Sequence, residues 1–235
     1  MEERCIAFKL NYCDGGASTD CIGFRGLCSD ENIFYNVINR NRPWCSHDNN
    51  FCKKYQCKKI SREELEQRWK VEDSGFCNES VTLFDNGWYA EAGWYKDPWR
   101  PRGIARNGLT SHLCVLTTVL PDIKKSDKKM SDDDARRIFA MFIVKEVFKG
   151  DKEKPGRVYD DKKWRLEFRP NEVEKMIFKD VYKKTWKQGL FRYFDDAAAV
   201  KFLEMAVDAK RGTHEEEDAK NFLNHYKEFA KERAL

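Results

Sequence analysis

Cysteines crowd the start of this chain: seven of the nine lie within the first 57 of its 235 residues. What those thiols bind decides what holds the first third together. The opening Met1-Glu2-Glu3-Arg4 places acids where a secretion signal needs basic residues and then a long apolar run. A soluble, cytoplasmic protein is therefore expected, in a compartment that keeps thiols reduced and disfavours a disulfide framework. No window approaches about 18 uncharged apolar residues, so no transmembrane helix and no membrane partner are expected. The thiols then serve a metal, a redox step or a buried apolar core. A redox dithiol normally shows Cys-x-x-Cys, and none occurs.

Cys5 and Cys114 sit in strand-like apolar runs and are expected in the core. Cys28, Cys45, Cys52, Cys57 and Cys77 sit among polar, turn-forming residues. Cys28-Ser-Asp, Cys45-Ser-His-Asp and Cys77-Asn-Glu share a form, a cysteine followed by a small polar residue and a nearby acid. Such turns let backbone N–H groups point back at a bound thiolate. Structural zinc sites usually contain a tight Cys-x2-4-Cys pair. In Cys45-x6-Cys52-x4-Cys57 only the second gap qualifies. Wide, irregular spacing suits a 4Fe-4S cluster, whose ligands come from separate loops, with zinc and free structural thiols as the alternatives. The six-residue gap is also similar to the first gap of iron–sulfur DNA glycosylases. The expected ligands are Cys28, Cys45 and Cys52, with Cys77 as the fourth and Cys57 competing for that place.

The chain is 41% hydrophobic and 14% aromatic, enough for one good core or two small ones. Its formal charge of +4 is too balanced to argue a nucleic-acid partner by itself. Basic residues do cluster at Lys53-Lys54, Lys58-Lys59, 100–106 and 183–187.

Apolar patterning predicts strands over 6–10, 81–84, 112–120, 137–148 and 164–168. The fourth is apolar on both faces, as a central strand should be. Residues 122–134 form a charged insert read as a mobile loop. Ser61-x-x-Glu64 is a capping box that starts a short helix to about Lys70. Pro170 starts another short helix, and Asp195 or Asp196 caps one with Val200, Leu203, Ala206 and Val207 on one face. Gly212 ends it, and Thr213-x-x-Glu216 opens a last helix carrying Phe222, Tyr226, Phe229 and Ala230.

Catalytic patterns are sparse. The sequence lacks a Walker loop, a nucleophile elbow and His-Glu-x-x-His, and its four histidines stand apart. Asp160, Asp161 and Glu167 are the acids a metal-dependent nuclease or base-processing enzyme would use. More telling are Trp88, Tyr89, Trp94, Tyr95 and Trp99, five large aromatics within twelve positions, interleaved with glycine, proline and arginine. Rings beside arginines are what stacking a base and holding nearby phosphate require. An aromatic loop packed over the mouth of a barrel would look the same.

The order of this segment, Arg106-Asn107, the strands over 112–120 and 137–148, a strand ending in Arg169-Pro170, and Gly189-Leu-Phe-Arg-Tyr-Phe-Asp-Asp before a helix resembles the PUA-like superfamily. The likeness is to its EVE and YTH branches and spans about residues 80–210. It implies a small β-barrel flanked by helices that holds a nucleobase, often modified, in an aromatic pocket. Trp88, Trp94 and Trp99 would be pocket walls, Arg106 and Asn107 polar readers, and Arg192 a phosphate or pocket contact. Such domains often serve modification-dependent restriction systems, which implies either a stand-alone reader or one fragment of such a system with a nuclease partner chain or domain.

The expected fold class is α+β: a mainly antiparallel β-barrel or strongly bent sheet with C-terminal helices over 80–235, and a Cys-rich metal-binding lobe over 1–79 packed on the same core. The expected function is non-catalytic recognition of nucleic acid, DNA or RNA, through a modified or flipped base, with Lys53, Lys54, Lys58 and Lys59 on phosphate. A nuclease and a protein-interaction module are the alternatives.

Overall fold

The computed structural model of the chain describes residues 2–16, 20–71, 76–84, 86–127, 129–186 and 189–233. Lys128 of the charged insert and Lys187 of the last basic cluster lie outside the described residues. The chain divides into a larger unit, Met1–Tyr12 with Gly87–Leu235, and a smaller one, Cys13–Asn86.

The strands, all in the larger unit, are β1 (Cys5–Lys9), β2 (Tyr89–Glu91), β3 (Trp94–Lys96), β4 (Trp99–Pro101), β5 (Leu113–Val119), β6 (Arg136–Phe148), β7 (Arg157–Glu167) and β8 (Phe191–Phe194). Helices α1 (Asp30–Phe34), α2 (Phe51–Gln56) and α3 (Arg62–Val71) belong to the smaller unit. The larger unit holds α4 (Pro121–Ser126), α5 (Pro170–Val173), α6 (Phe178–Val181), α7 (Asp196–Lys210) and α8 (Glu216–Glu232). The fold is α+β. Six strands form a curled mixed sheet in the order β2-β7-β6-β5-β1-β8, and β3 and β4 form a separate hairpin.

The sheet is antiparallel except where β1 runs parallel to β5. This pairing seats the first strand between β5 and β8, so β1 belongs with the sheet. The smaller unit, Cys13–Asn86, begins and ends later than the lobe over 1–79 expected from the sequence. The first nine residues of β6 are all buried, because neighbours cover both faces of a central strand. Register shifts at Leu116/Thr117, Phe142/Val144 and Val144/Glu146 bend the ladder and increase its twist.

Two strand assignments need correction. Residues 81–84 form a turn after the short 3-10 segment Asn78–Ser80. There the hydroxyls of Ser80 and Thr82 donate to the carbonyls of Cys77 and Asn78 at 2.8 and 2.9 Å, winding the backbone locally. Strand β7 begins at Arg157, seven residues before the apolar run, where residues 157–159 pair with both β2 and β6; the aspartate at its inward position 160, paired with Arg165, interrupts the apolar pattern. The charged insert after β5 opens with α4, whose Pro121 suits a first helical position.

Asp195 caps α7 by accepting from the Ala198 N–H at 2.9 Å. The buried face of α7 is Ala199, Phe202, Leu203, Ala206 and Ala209, rotated slightly from the expected one, with Val200 and Val207 half-buried. Gly212, at φ 78°, turns the chain into α8. Phe222 of α8 packs against Trp164 of β7, with ring centroids 5.8 Å apart, and so covers that face of the sheet. Behind the helices the Tyr226 hydroxyl donates to Asp196 Oδ1 at 2.6 Å and lies 3.1 Å from Cys5 Sγ. Tyr226→Phe is expected to lower stability by about 1–2 kcal/mol in denaturant titration, the worth of a hydrogen bond to a half-shielded carboxylate.

Candidate functional site

The hairpin of β3 and β4 turns at Asp97-Pro98 and pairs Trp94 with Pro101, Tyr95 with Arg100, and Lys96 with Trp99. Directly opposed residues share a face and successive residues alternate. Trp94, Lys96 and Trp99 therefore stand on one face, Tyr95 and Arg100 on the other. The diagonal spacing of Trp94 and Trp99 lets their rings meet. Their centroids are 5.9 Å apart and their planes within 10°. Tyr95 is 38% exposed, with the guanidinium carbons of Arg100 and Arg102 at 4.0 and 4.2 Å from its ring centre. Arg102 also donates through Nε to the Trp94 carbonyl at 3.0 Å, which ties the arginine to the hairpin.

The base of the hairpin is anchored to the turn between β6 and β7. Ala92 N donates to Gly156 O, Gly156 N to Arg102 O, and Ile104 N to Lys149 O, all within 2.9 Å. That turn exposes Lys149, Lys152 and Lys154. On the other side Gly93 adopts φ 69°, and a Cβ there would stand 2.5 Å from Leu190 Cδ1. The positive φ favours glycine there, and the contact sets the hairpin against the residue that precedes β8.

The remaining expected contacts are spread along the sheet. Trp88 is 4% exposed, so its ring lies in the core. Its N–H donates to Asp160 Oδ1 at 2.9 Å, and its ring lies 4.8 Å from the Arg165 guanidinium. Its indole N–H is buried without an acceptor, which costs free energy unless water or a bound molecule supplies one. Tyr89 meets Tyr159 across β2 and β7 at 6.1 Å. Arg106 lies 4.5 Å over Tyr193 of β8 and donates to the Glu3 carbonyl at 2.8 Å, and Asn107 accepts from Lys149. Arg192 stands 5.9 Å from the Trp186 ring, two residues beyond the Leu190 that touches the hairpin base.

The acids of the enzyme alternative are differently placed. Both oxygens of Asp160 are engaged, one by Trp88 N and the other by Arg165 at 3.3 Å. Asp161, the next residue on the strand, projects to the opposite face. Among the described residues no three histidine, cysteine, aspartate or glutamate side chains converge to hold a single metal ion.

All nine cysteines carry free thiols. Cys5 and Cys114 are buried on the paired strands β1 and β5, the core position expected of them, and burial pushes both thiols well up. In the smaller unit Cys28 lies two residues before α1, Cys45 in the turns before α2, Cys52 second in α2, and Cys77 next to the segment Asn78–Ser80. Cys28 is buried and the other three are half-buried. Shielding from water pushes the Cys45 and Cys77 thiols well up and Cys52 up to about 12. Cys28 alone among them is held below its ordinary value, through a hydrogen bond with the Cys13 thiol 3.7 Å away. Burial opposes this, and the Asn32 amide, donating to Cys28 Sγ at 3.2 Å, assists it. Glu79 acts on Cys28, Cys45 and Cys77, while Arg42 and Arg62 act on Cys45 and Cys52 in the opposite sense. Cys57 is exposed at the end of α2.

Cys13 was missing from the expected group. Its signal was legible, since Cys13-Asp14-Gly15-Gly16 has the same cysteine-then-acid turn form. Asn32 and Arg62 had none, because they approach Cys28 only once α1 and α3 are placed; Arg62 Nη1 donates to the Cys28 carbonyl at 2.9 Å. No helix among the described residues is long and apolar enough to cross a membrane. No protein-family model, curated protein or solved structure matches this chain.

Proposed function

We propose that the larger unit binds nucleic acid, with the β3–β4 hairpin as the element that stacks on bases, in the manner of a PUA-like reader of a modified or flipped base. The observation that carries this reading is the near-parallel Trp94–Trp99 pair with Lys96 on the same face. Two aromatic faces beside a cation offer stacking and phosphate attraction together, and stacking tolerates any base because every base has a π-face. Arg100, on the other face, and Lys149, Lys152 and Lys154 of the neighbouring turn supply further positive charge. The unpartnered Trp88 indole N–H is a donor that an acceptor on a bound base would satisfy.

The test is a titration of the full chain with labelled DNA and RNA, single-stranded and duplex, with and without modified bases, over a range of salt. Each phosphate neutralised on a single strand contributes about 0.7 to the slope of log K against log salt. Three to five cations would give a slope of about −2 to −4. No binding to any of these at low salt would sink the proposal. A second reading, a protein-interaction surface, rests on Phe34, Tyr35 and Ile38 of the smaller unit, which are 46%, 40% and 54% exposed. It predicts indifference to nucleic acid in the same titration.

A further inference from the structure

Spacing along the sequence argues against a redox dithiol, because no Cys-x-x-Cys occurs. Folding of the smaller unit supplies a pair that the spacing hides. Cys13 and Cys28, 15 positions apart, have their sulfurs 3.7 Å from one another. Cys13 is 0% exposed and Cys28 8%.

The segments that carry the two thiols are braced together. Asp14, next to Cys13, accepts from the N–H and the hydroxyl of Ser29, next to Cys28, at 2.9 and 2.6 Å. Arg25 N donates to Gly15 O at 3.1 Å. A Cβ on Gly15 would stand 2.0 Å from Gly26 O, which shows how closely the two backbones approach.

We propose that Cys13 and Cys28 form a redox modification site, a dithiol that a peroxide converts to a disulfide and a small thiol restores. Cys28 is the attacking sulfur. It keeps a little exposure where Cys13 has none, so a peroxide not much larger than water meets Cys28 first. Contact with the Cys13 thiol holds Cys28 below its ordinary value, and burial with the carboxylates of Asp14 and Glu79 opposes this. The Asn32 amide, donating to Cys28 Sγ at 3.2 Å, adds to the lowering. The thiolate so favoured is the form that reacts with peroxide, and a second cysteine in contact resolves the product. Cys13 is that second cysteine, with the Gly26 carbonyl as its other neighbour at 3.6 Å. Cys5 and Cys114 are the contrast, since burial on paired strands pushes both thiols up and leaves them inert.

The Cys28 sulfur attacks one peroxide oxygen, the O–O bond breaks, and water leaves as the sulfenic acid forms. The Cys13 sulfur then attacks the Cys28 sulfur, the S–O bond breaks, and a second water carries off the Cys13 proton. Two electrons pass from the sulfurs to the peroxide, and a small thiol returns them by exchange. The new bond joins the first residue of the smaller unit to the approach to α1. Where thiols are otherwise kept reduced, disulfides of this transient kind serve as sensors.

The inference does not rest on nucleic-acid binding and is tested on the reduced, full-length protein. Hydrogen peroxide is added in small excess, remaining thiols are alkylated in denaturant, and tryptic peptides are mapped by mass. Trypsin cuts after Arg25, so the two cysteines fall on separate peptides, 10–25 and 26–40. The expected result is these peptides joined, with a loss of about 2 Da for the two hydrogens removed, and parted again by dithiothreitol. Cys21 shares the first peptide, and Cys21→Ser is expected to keep the link. Cys13→Ser is expected to abolish it and to leave Cys28 as a sulfenic acid, captured by a cyclic dione at least about fivefold more than in the wild type. Cys28 joined to a different cysteine, or still a thiol once the exposed Cys57 is oxidised, would overturn the proposal. So would stoichiometric iron or zinc that a chelator must remove before the pair can form.

Discussion

Lys210→Met is expected to lower the stability of the larger unit by about 3–5 kcal/mol, the usual cost of removing one member of a buried ion group. Lys210 closes α7 with its ammonium fully buried. It donates to Glu172 Oε2 at 2.7 Å, to Glu215 Oε2 at 2.7 Å and to the Glu167 carbonyl at 2.6 Å. One side chain thereby ties together the end of β7, helix α5 and the start of α8. Methionine matches the stem but leaves the Glu172 carboxylate, 2% exposed, without its cation. The denaturant midpoint reports the loss, and the thermal midpoint should fall by roughly 10 °C. Combining Lys210→Met with Glu172→Leu is expected to recover part of it, since an apolar pair avoids the stranded charge. Recovery stays incomplete because Glu172 Oε2 also accepts from the Arg169 N–H at 2.8 Å, capping α5. A single variant as stable as the wild type would show that the network contributes nothing net.

Replacing Trp94 and Trp99 together with alanine is expected to weaken nucleic-acid binding about 100-fold. Stacking is worth about 1–3 kcal/mol per base, and two rings that engage one or two bases lose about 3 kcal/mol. The salt dependence should remain, because Lys96, Arg100 and the lysines of the β6–β7 turn are still present. Arg100→Gln should do the reverse, costing less affinity and reducing the slope by about 0.7. The hairpin lies outside the six-stranded sheet, so the thermal midpoint of the double variant should stay close to that of the wild type. Affinity within twofold of the wild type in the double variant would remove the hairpin from the recognition surface.

The elements legible in the sequence are those whose signals are local. The apolar run of β6, the Ser61 cap of α3, confirmed by Glu64 N donating to Ser61 Oγ at 3.1 Å, and the Asp195 cap of α7 all appear where their residues place them. The early start of β7 was hidden because Asp160 occupies a position where the period of two calls for an apolar residue. Its partner Arg165 is local, but only burial beside Trp88 makes the pair meaningful. Lys210 was equally hidden, since a lysine at a helix end ordinarily reads as solvated.

The sequence by itself determined that Cys5 and Cys114 would be buried on strands, that a central strand would be buried on both faces, and that aromatics and arginines would alternate in one segment. Each of these follows from side-chain chemistry acting over a few residues. Only the tertiary structure decided which side chains share a face or a cavity. Strand pairing put β1 inside the sheet, cross-strand register stacked Trp94 on Trp99, and the placing of α1 and α3 brought Asn32 and Arg62 to Cys28. Those contacts join residues distant in sequence, and burial rewards them only when the whole unit closes, so no local pattern encodes them.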